Sequence, residues 1–421
     1  MKKPLHKHIG HQARKMHGHF TKYLYERDTI FATIWVFLFI IILGSIPLNL
    51  GSLNPIKLGL KDLDMNDMSY SKLGKAQNTP IDTSNIVVIN IGQADREGIA
   101  AIINKTASYK PKVMGLDVIF NGPRDAAKDS LLREAIQRNK NLVVAVKIET
   151  DSSDKLIPTE NFFLNNASYY GYVNFPNDDK ETVRYYFPFK KDDHDKQIVL
   201  PSFSSSLVKL YDTTAYNKIK KKADSKVIVN YTRNVTERKK QYLVIEGEDL
   251  LMDNIDSSAI NGRIALLAYV NLSPNDIEDK KFTPMNEKFA GKSHPDMNGI
   301  FVHANIISMV LEKNYVKKLP SWANWLISVL VCWLFMSFFI RYYLESHIWF
   351  HLVAKIIQVA SAILFVWLGI HLFDRYRLKV DMKMSLLVII MAVDVIYFYE
   401  AWAVWMHKKF NYKTVFKPHH H

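Results

Sequence analysis

Hydropathy divides this chain before any other property does. From Thr29 to Ile56 no side chain carries a charge, and Ile30 to Leu43 reads IFATIWVFLFIIIL. With its flanks, that run is long enough for a bilayer core of about 30 Å. It predicts a first membrane span over 29–50, and three more runs predict spans over 321–341, 348–373 and 384–406. Between the first span and the second lies a polar segment, 51–320. The layout therefore forces one large extramembrane domain held by one helix before it and three after it, with both chain ends on one side. The first span reads as an anchor, not a cleaved leader, because a polar, basic stretch (1–28) precedes it and GSIPLNL is a poor cleavage site.

Charge orients this layout. Lys2, Lys3, Lys7, Arg14, Lys15, Lys22 and Arg27 crowd the first tail, and Lys408, Lys409, Lys413 and Lys417 the last (407–421). The positive-inside rule then puts both ends in the cytoplasm and segment 51–320 outside, as in a bacterial inner-membrane protein. Arg375, Arg377, Lys379 and Lys383 pull the other way, so the orientation rests on the termini. The net charge is +14, yet segment 51–320 carries 38 basic and 34 acidic side chains. The excess sits beside the membrane, which suits anionic lipid headgroups and argues against nucleic acid. Cys332, the one cysteine, falls in the second span, so the outer domain folds without disulfides.

Within the domain, Ile86–Ile91 reads as a buried strand, Asp95–Tyr109 as a helix, Lys112–Asp117 as a strand, Ala126–Arg138 as a helix and Asn141–Ile148 as a strand. This β-α-β-α-β unit predicts a parallel sheet with helices on its faces. Gly171–Phe189, with the turn formers Pro176 to Asp179, predicts an antiparallel hairpin, so the sheet is expected to be mixed. Ser202–Tyr211 reads as a helix whose serines cap its entry, and Lys218–Lys222 (KIKKK) as a solvated loop. Strands at Val227–Tyr231, Tyr242–Ile245 and Ile264–Val270 and a short helix at Glu248–Met252 follow. The domain closes on Gly299–Leu311, read as an amphipathic helix leading to the second span.

Taken together, these segments resemble the second type of CHASE domain, a sensory module of bacterial cyclases and histidine kinases. The matching pieces are NIVVINI, KVMGLDVIF, NLVVAVKI, GYVNFPNDDKETVRYYFPF, LPSFSSSLVKLY, INGRIALLAYV, DKKFTPM and NGIFVHANIISMVLEKNYVKKLPSW. They cover nearly the whole chain, and the last is the most specific because it leads into a three-span bundle. The resemblance implies an extracytoplasmic α/β sensor between one span and three, followed in relatives by an output domain. Two departures stand out: positions often acidic after the first strand read Gly92-Gln93, and the turn after IALL reads Ala268-Tyr269-Val270-Asn271.

Open parallel sheets bind ligands beyond the carboxyl ends of their strands. The residues expected there are Asn90, Gln93, Asp117, Asn121, Lys147, Asn271 and Asp276. Asp117 has a competing reading as a loop brace. His303 and Asn305 lie on the closing helix, where a signal would pass to the membrane; a lone histidine there is more often packed than metal-ligating. Lys355, Asp394 and Glu400 are ionisable groups inside spans, costly unless paired or functional. Lys355 is expected to pair with Glu400, leaving Asp394 to contact a partner helix or a polar spot in the bundle. His6, His8, His11, His17 and His19 suit a pH-tuned surface tail better than a metal site, and His419–His421 carry no function.

No nucleophile elbow, P-loop or HExxH occurs, so no enzyme, metal or cofactor is expected. The favoured reading is an inner-membrane sensor of a small molecule or envelope component. With 15 residues (407–421) after the last span, its output is expected in trans, through a separate protein. The competing reading is a scaffolding subunit of an envelope complex, and self-association is compatible with either.

Overall fold

The computed structural model describes residues 23–45, 64–71, 84–150, 156–159, 161–176, 182–191, 199–222, 225–237, 239–286, 294–345 and 349–416. The histidines expected in the two tails and the turn at 177–179 lie outside these. The chain divides into two compact units, one made of the N-terminal segment and everything from Lys317 onward, the other of Lys57–Val316.

The first unit begins with α1 (Arg27–Ser45), an apolar helix of 19 residues. The second unit is built on a parallel sheet. Strand β1 (Ile86–Asn90) is a β-branched run, followed by α2 (Arg96–Ser108), β2 (Val113–Asp117), α3 (Ala126–Arg138) and β3 (Leu142–Thr150). Each helix starts where an aspartate can cap it. Asp95 accepts from the Gly98 amide at 2.9 Å, and Asp125 from the Lys128 amide at 2.9 Å, satisfying donors that the first turn leaves unpaired. Strand β4 (Leu156–Thr159) runs antiparallel to β3, and β5 (Tyr169–Tyr172) parallel to it.

Short pieces follow: β6 (Tyr185–Tyr186), β7 (Phe189–Lys191), β8 (Val199–Pro201), α4 (Phe203–Tyr211), α5 (Thr213–Lys220) and β9 (Val227–Ile228). Here two expectations fail. The flanks of the expected hairpin do not pair with each other: β5 joins β3, and β6 pairs with β9. Tyr169–Tyr172 extends the buried parallel sheet, a tertiary preference that a local turn signal cannot reveal. The lysine run is no loop either, because Lys218 and Lys220 belong to the last turn of α5, whose Ile219 is buried. Cations at a helix C-terminus are favoured by its dipole.

Strand β10 (Leu243–Glu246) and helix α6 (Gly247–Leu251) precede β11 (Ile264–Ala268). The strand order is β10-β1-β11-β2-β3-β4, with β5 also on β3. The late strand β11 thus inserts between β1 and β2. In register, Val88 lies beside Leu266, Leu266 beside Gly115 and Gly115 beside Val143. One face packs on α2 and α3 through Val87, Ile89, Ile103, Met114, Leu116, Leu132 and Ile136. The other receives α4 at two glycines. A Cβ on Gly115 would stand 2.8 Å from Phe203 Cζ, and one on Gly171 only 2.5 Å from Phe203 Cα.

The domain closes with β12 (Lys280–Lys281), β13 (Met297–Asn298) and α7 (Gly299–Leu311), the first two paired antiparallel. Every residue of α7 from Gly299 to Val310 is buried, so this helix is a core element and not the amphipathic one expected. An all-round apolar helix needs neighbours on each side, and α7 has α4 and α5 among them.

The first unit resumes with β14 (Lys317–Lys318), α8 (Ser321–Glu345), α9 (Phe350–Tyr376), β15 (Leu378–Lys379) and α10 (Lys383–Phe410). Together with α1, the helices α8, α9 and α10 are four elements long and apolar enough to cross a membrane. Strands β14 and β15 pair in parallel, tying the segment before α8 to the α9–α10 loop. Ala32, Val36, Cys332, Phe339, Val388, Ala392 and Tyr399 are buried in the core of this bundle.

Candidate functional site

The carboxyl ends of the parallel strands open into a cleft of about 530 Å³. Its floor follows from the register. Asn90 lies beside Ala268 and Ala268 beside Asp117, so the last residues of β1, β11 and β2 end at one level. Beyond them the β1–α2 turn supplies Gly92 and Gln93, the β2–α3 loop Ile119 and Arg124, and β3 Lys147. Asn174, Phe175 and Tyr269 line it from the ends of β5 and β11, and Glu278, Asp279 and Lys281 from the segment around β12. A second cleft of about 450 Å³ shares Ala94, Ile99, Val118, Ile119 and Arg124 with the first and adds Asn121, Asp125 and Lys128.

Of the expected ligand residues, the cleft brings together Gln93, Asp117 and Lys147. Asn121 faces the neighbouring cleft. Asn90 is spent on the fold: its Oδ1 accepts from the amides of Gly92 at 3.1 Å and Val270 at 2.9 Å, and its Nδ2 donates to Glu246 at 2.7 Å. Asn271 Nδ2 donates to Asp276, whose carboxylate also accepts from the Tyr269 hydroxyl at 3.2 Å. Asn271 and Asp276 thus brace one wall, and Tyr269 is the member of that trio that lines the cleft.

Electrostatics sets Asp117 apart. Burial, with Asp279 adding to it, pushes its carboxyl up to about 8, and Lys281 pulls the other way. Its side chain keeps some surface open to the cleft although protein atoms surround it. At neutral pH the acid is therefore largely protonated, able to donate a hydrogen bond where an ordinary aspartate could only accept. Asp279 itself sits in the left-handed region, φ 53°, at the start of α7. Its carbonyl accepts from the Gly299 amide at 2.9 Å, and a Cβ on Gly299 would come within 3.3 Å of its carboxylate. The glycine lets the carboxylate lie against the helix entry, where the peptide dipoles favour a negative charge.

His303 forms part of the cleft wall from α7. Its Nδ1 lies 3.0 Å from Ser204 Oγ, and its ring packs on Phe175 and Phe203. Burial, and secondarily Lys281, lowers its pKa to about 3, so the imidazole is neutral. The other residue marked on α7 ties the helix to the irregular segment after β9: Asn305 Oδ1 accepts from the amides of Thr232 at 2.9 Å and Arg233 at 3.1 Å, while Nδ2 donates to the carbonyls of Arg233 and Phe301. Among the described residues no group of three or more His, Cys, Asp or Glu is placed to hold a metal ion.

Sequence reasoning missed Arg124, Asn174, Asp279 and Lys281. Asn174 follows β5, whose pairing was misassigned, and braces β3 through the amide of Ile148 at 2.8 Å. Asp279 and Lys281 stood in the family-like segment DKKFTPM, but only the fold brings that segment to Asp117.

Inside the bundle the expected Lys355–Glu400 pair does not form. Lys355 Nζ donates to Asp394 at 3.0 and 3.2 Å, and Glu400 accepts from the Tyr343 hydroxyl at 2.7 Å. The reason is helix offset. His351 lies 3.1 Å from the Tyr397 hydroxyl, so one turn forward along α9 from His351 meets one turn back along the antiparallel α10. Asp394 thus has a mate within the chain.

No curated protein and no solved structure matches this chain. The family model for the CHASE2 domain matches residues 37–339, beginning inside α1 and ending inside α8. With that match spanning the α/β domain and reaching into the apolar helices on both sides of it, the chain is a multi-pass membrane protein that belongs to the CHASE2 domain family.

Proposed function

We propose that the α/β domain is an extracytoplasmic sensor that binds a small polar molecule in the cleft at the strand ends, with both chain termini in the cytoplasm and the bilayer that of the bacterial inner membrane. One observation carries this reading: Asp117, Asp279, Glu278, Lys147, Lys281 and Arg124 line a single cleft of about 530 Å³. That volume lies within the range of small-molecule sites, roughly 300–1,000 Å³, and the position is the one that open parallel sheets favour for ligands.

The mixture of acids and bases suits a ligand that carries both kinds of group, or one rich in hydrogen-bonding atoms. A protonated Asp117 would donate to an acceptor on the ligand, and cationic side chains would meet its anionic part. Binding would draw together the β2–α3 loop, the segment around β12 and the entry of α7. From Leu311 the chain runs through Glu312–Val316 into β14 and then α8, so a shift of α7 has a covalent route to the membrane helices.

The test is direct binding. Purified full-length protein in mild detergent is screened by thermal shift against amino acids, small carboxylates and amines. The expected result is a stabilising ligand whose effect disappears in Asp117→Ala and Lys147→Ala variants that still melt cooperatively without it. A stabilising ligand indifferent to both substitutions would remove the cleft as the site. No stabilising ligand, together with a stoichiometric envelope complex on purification, would favour a scaffold over a sensor.

A further inference from the structure

Among the described residues, one charged contact between two membrane helices lies open. Lys355 and Asp394 pair with each other, yet their side chains remain 53% and 54% exposed. Both belong to helices long and apolar enough to cross a membrane. Asp394 has α10 extending about 16 Å to one side and about 24 Å to the other at 1.5 Å per residue, well away from either end. Of the other polar groups nearby, His351 is exposed and lies 3.1 Å from the Tyr397 hydroxyl one turn away, while the next two are held inside the bundle. Gln358 is buried and donates to the carbonyls of Ile389 and Ile390 at 2.9 Å, and Glu400 accepts from Tyr343. On the side of the pair away from His351 the surface is apolar, with Val359 and Ile363 on the same face of α9 and Leu387 and Ile390 on the same face of α10, all exposed.

An ion pair open to hydrocarbon is costly, because lipid tails offer neither counter-charge nor hydrogen bonds. Protein covering removes that cost, and polar contacts between helices act as glue. The charge pattern identifies the cover. A positive group on α9 stands beside a negative group on α10. When such a face meets its own copy across a two-fold axis normal to the membrane, each lysine faces the other copy's aspartate. The four charges then alternate, and the aliphatic side chains around them close on one another. A different protein would need the mirrored arrangement of charges; a second copy has it already.

We propose that the α9–α10 face centred on Lys355 and Asp394 is a self-association surface, at which two copies of this chain pair about a two-fold axis with Lys355 of each opposite Asp394 of the other.

Two charge reversals test it in the full-length protein. Copies carrying donor or acceptor fluorophores are reconstituted in liposomes and energy transfer is measured. Wild type is expected to show transfer; Lys355→Asp alone and Asp394→Lys alone are expected to lose most of it. Mixing the two variants should restore it, because an acidic face then meets a basic one. Should either reversal fail to elute as a monodisperse, cooperatively melting protein, the neutral pair Lys355→Gln with Asp394→Asn replaces it and should weaken transfer. In addition, Val359→Cys in a Cys332→Ala background should give dimers with a short bis-maleimide. The proposal is overturned by a wild type without transfer, by transfer indifferent to the reversals or to neutralisation, by a mixture no better than either variant alone, or by a monomeric wild type held in a complex with another membrane protein.

Discussion

The Tyr399 hydroxyl donates a 2.6 Å hydrogen bond to the carboxylate of Asp28, joining the fourth membrane helix to the first turn of the first. The same carboxylate accepts from Thr414 Oγ1 at 2.9 Å, from the Val415 amide at 2.6 Å and from Tyr412 at 3.3 Å. Asp28 is 1% exposed, so one buried acid fixes the path of the chain after α10. Arg27 adds a bond to the Lys413 carbonyl and lies over the Tyr412 ring.

Replacing Asp28 with Ala leaves these donors without an acceptor. Each buried polar group stranded in this way costs about 1–3 kcal/mol, so the bundle should lose several degrees of thermal stability in detergent. Cleavage by an added protease within 411–416 should rise sharply. Unchanged cleavage would mean that the aromatic packing of Phe416 holds the segment without the acid.

Gly171→Ala separates packing from backbone freedom. The new Cβ would stand 2.5 Å from Phe203 Cα, and a backbone atom cannot swing aside as a side chain can. Overpacking of this kind costs typically 1–3 kcal/mol, expected as a lower melting temperature of the α/β domain. Gly92→Ala is the contrast: nothing lies within 4 Å of its Cβ, but its φ of +52° is unfavourable to alanine, a cost of about 1–2 kcal/mol. A Gly171→Ala variant that melts like wild type would show that close approach of α4 to the sheet is not a constraint at Gly171.

The β-α-β-α-β unit was legible because its signals are local: β-branched runs at Ile86–Asn90 and Leu142–Ile148, and aspartates at the helix caps. The four apolar helices were legible for the same kind of reason, since length and hydropathy need no tertiary information. What could not be read was pairing at long range. Nothing near Ile264–Ala268 says that it inserts between β1 and β2, and nothing near Tyr169–Tyr172 says that it lies along β3. The cleft suffered accordingly. Gln93, Asp117 and Lys147 follow from strand ends alone, whereas Asp279 and Lys281 arrive on a hairpin-like turn whose place depends on α7. Lys355 was matched to Glu400 by assuming level helix ends, and the contact of His351 with Tyr397 shows the offset that defeats that assumption.

Asp117 should make the stability of the α/β domain pH-dependent. Its folded pKa is about 8 against an ordinary 3.8, so the folded state holds a proton that the unfolded chain releases. The stabilisation from this linkage is complete below pH 3.8, declines as pH rises and is gone above about 8. Asp117→Asn abolishes the linkage. The difference in melting temperature between variant and wild type should therefore widen in favour of the variant from about pH 4 to pH 8 and be flat outside that window. A constant difference across the window would show that Asp117 ionises normally in the folded domain.

His303 should act in the opposite direction and over a lower range. Burial holds its folded pKa at about 3 against 6.5 in the unfolded chain, so only the unfolded state takes up the proton in between. Its contribution is fully present above pH 6.5 and is lost as pH falls toward 3. His303→Gln keeps a polar group beside Ser204 and does not titrate, so the acid-unfolding midpoint of the α/β domain should move to lower pH. The same substitution should leave the Asp117 profile above pH 6.5 in place. Acid unfolding that is identical in wild type and variant would mean that the imidazole already reaches solvent and accepts its proton in the folded state.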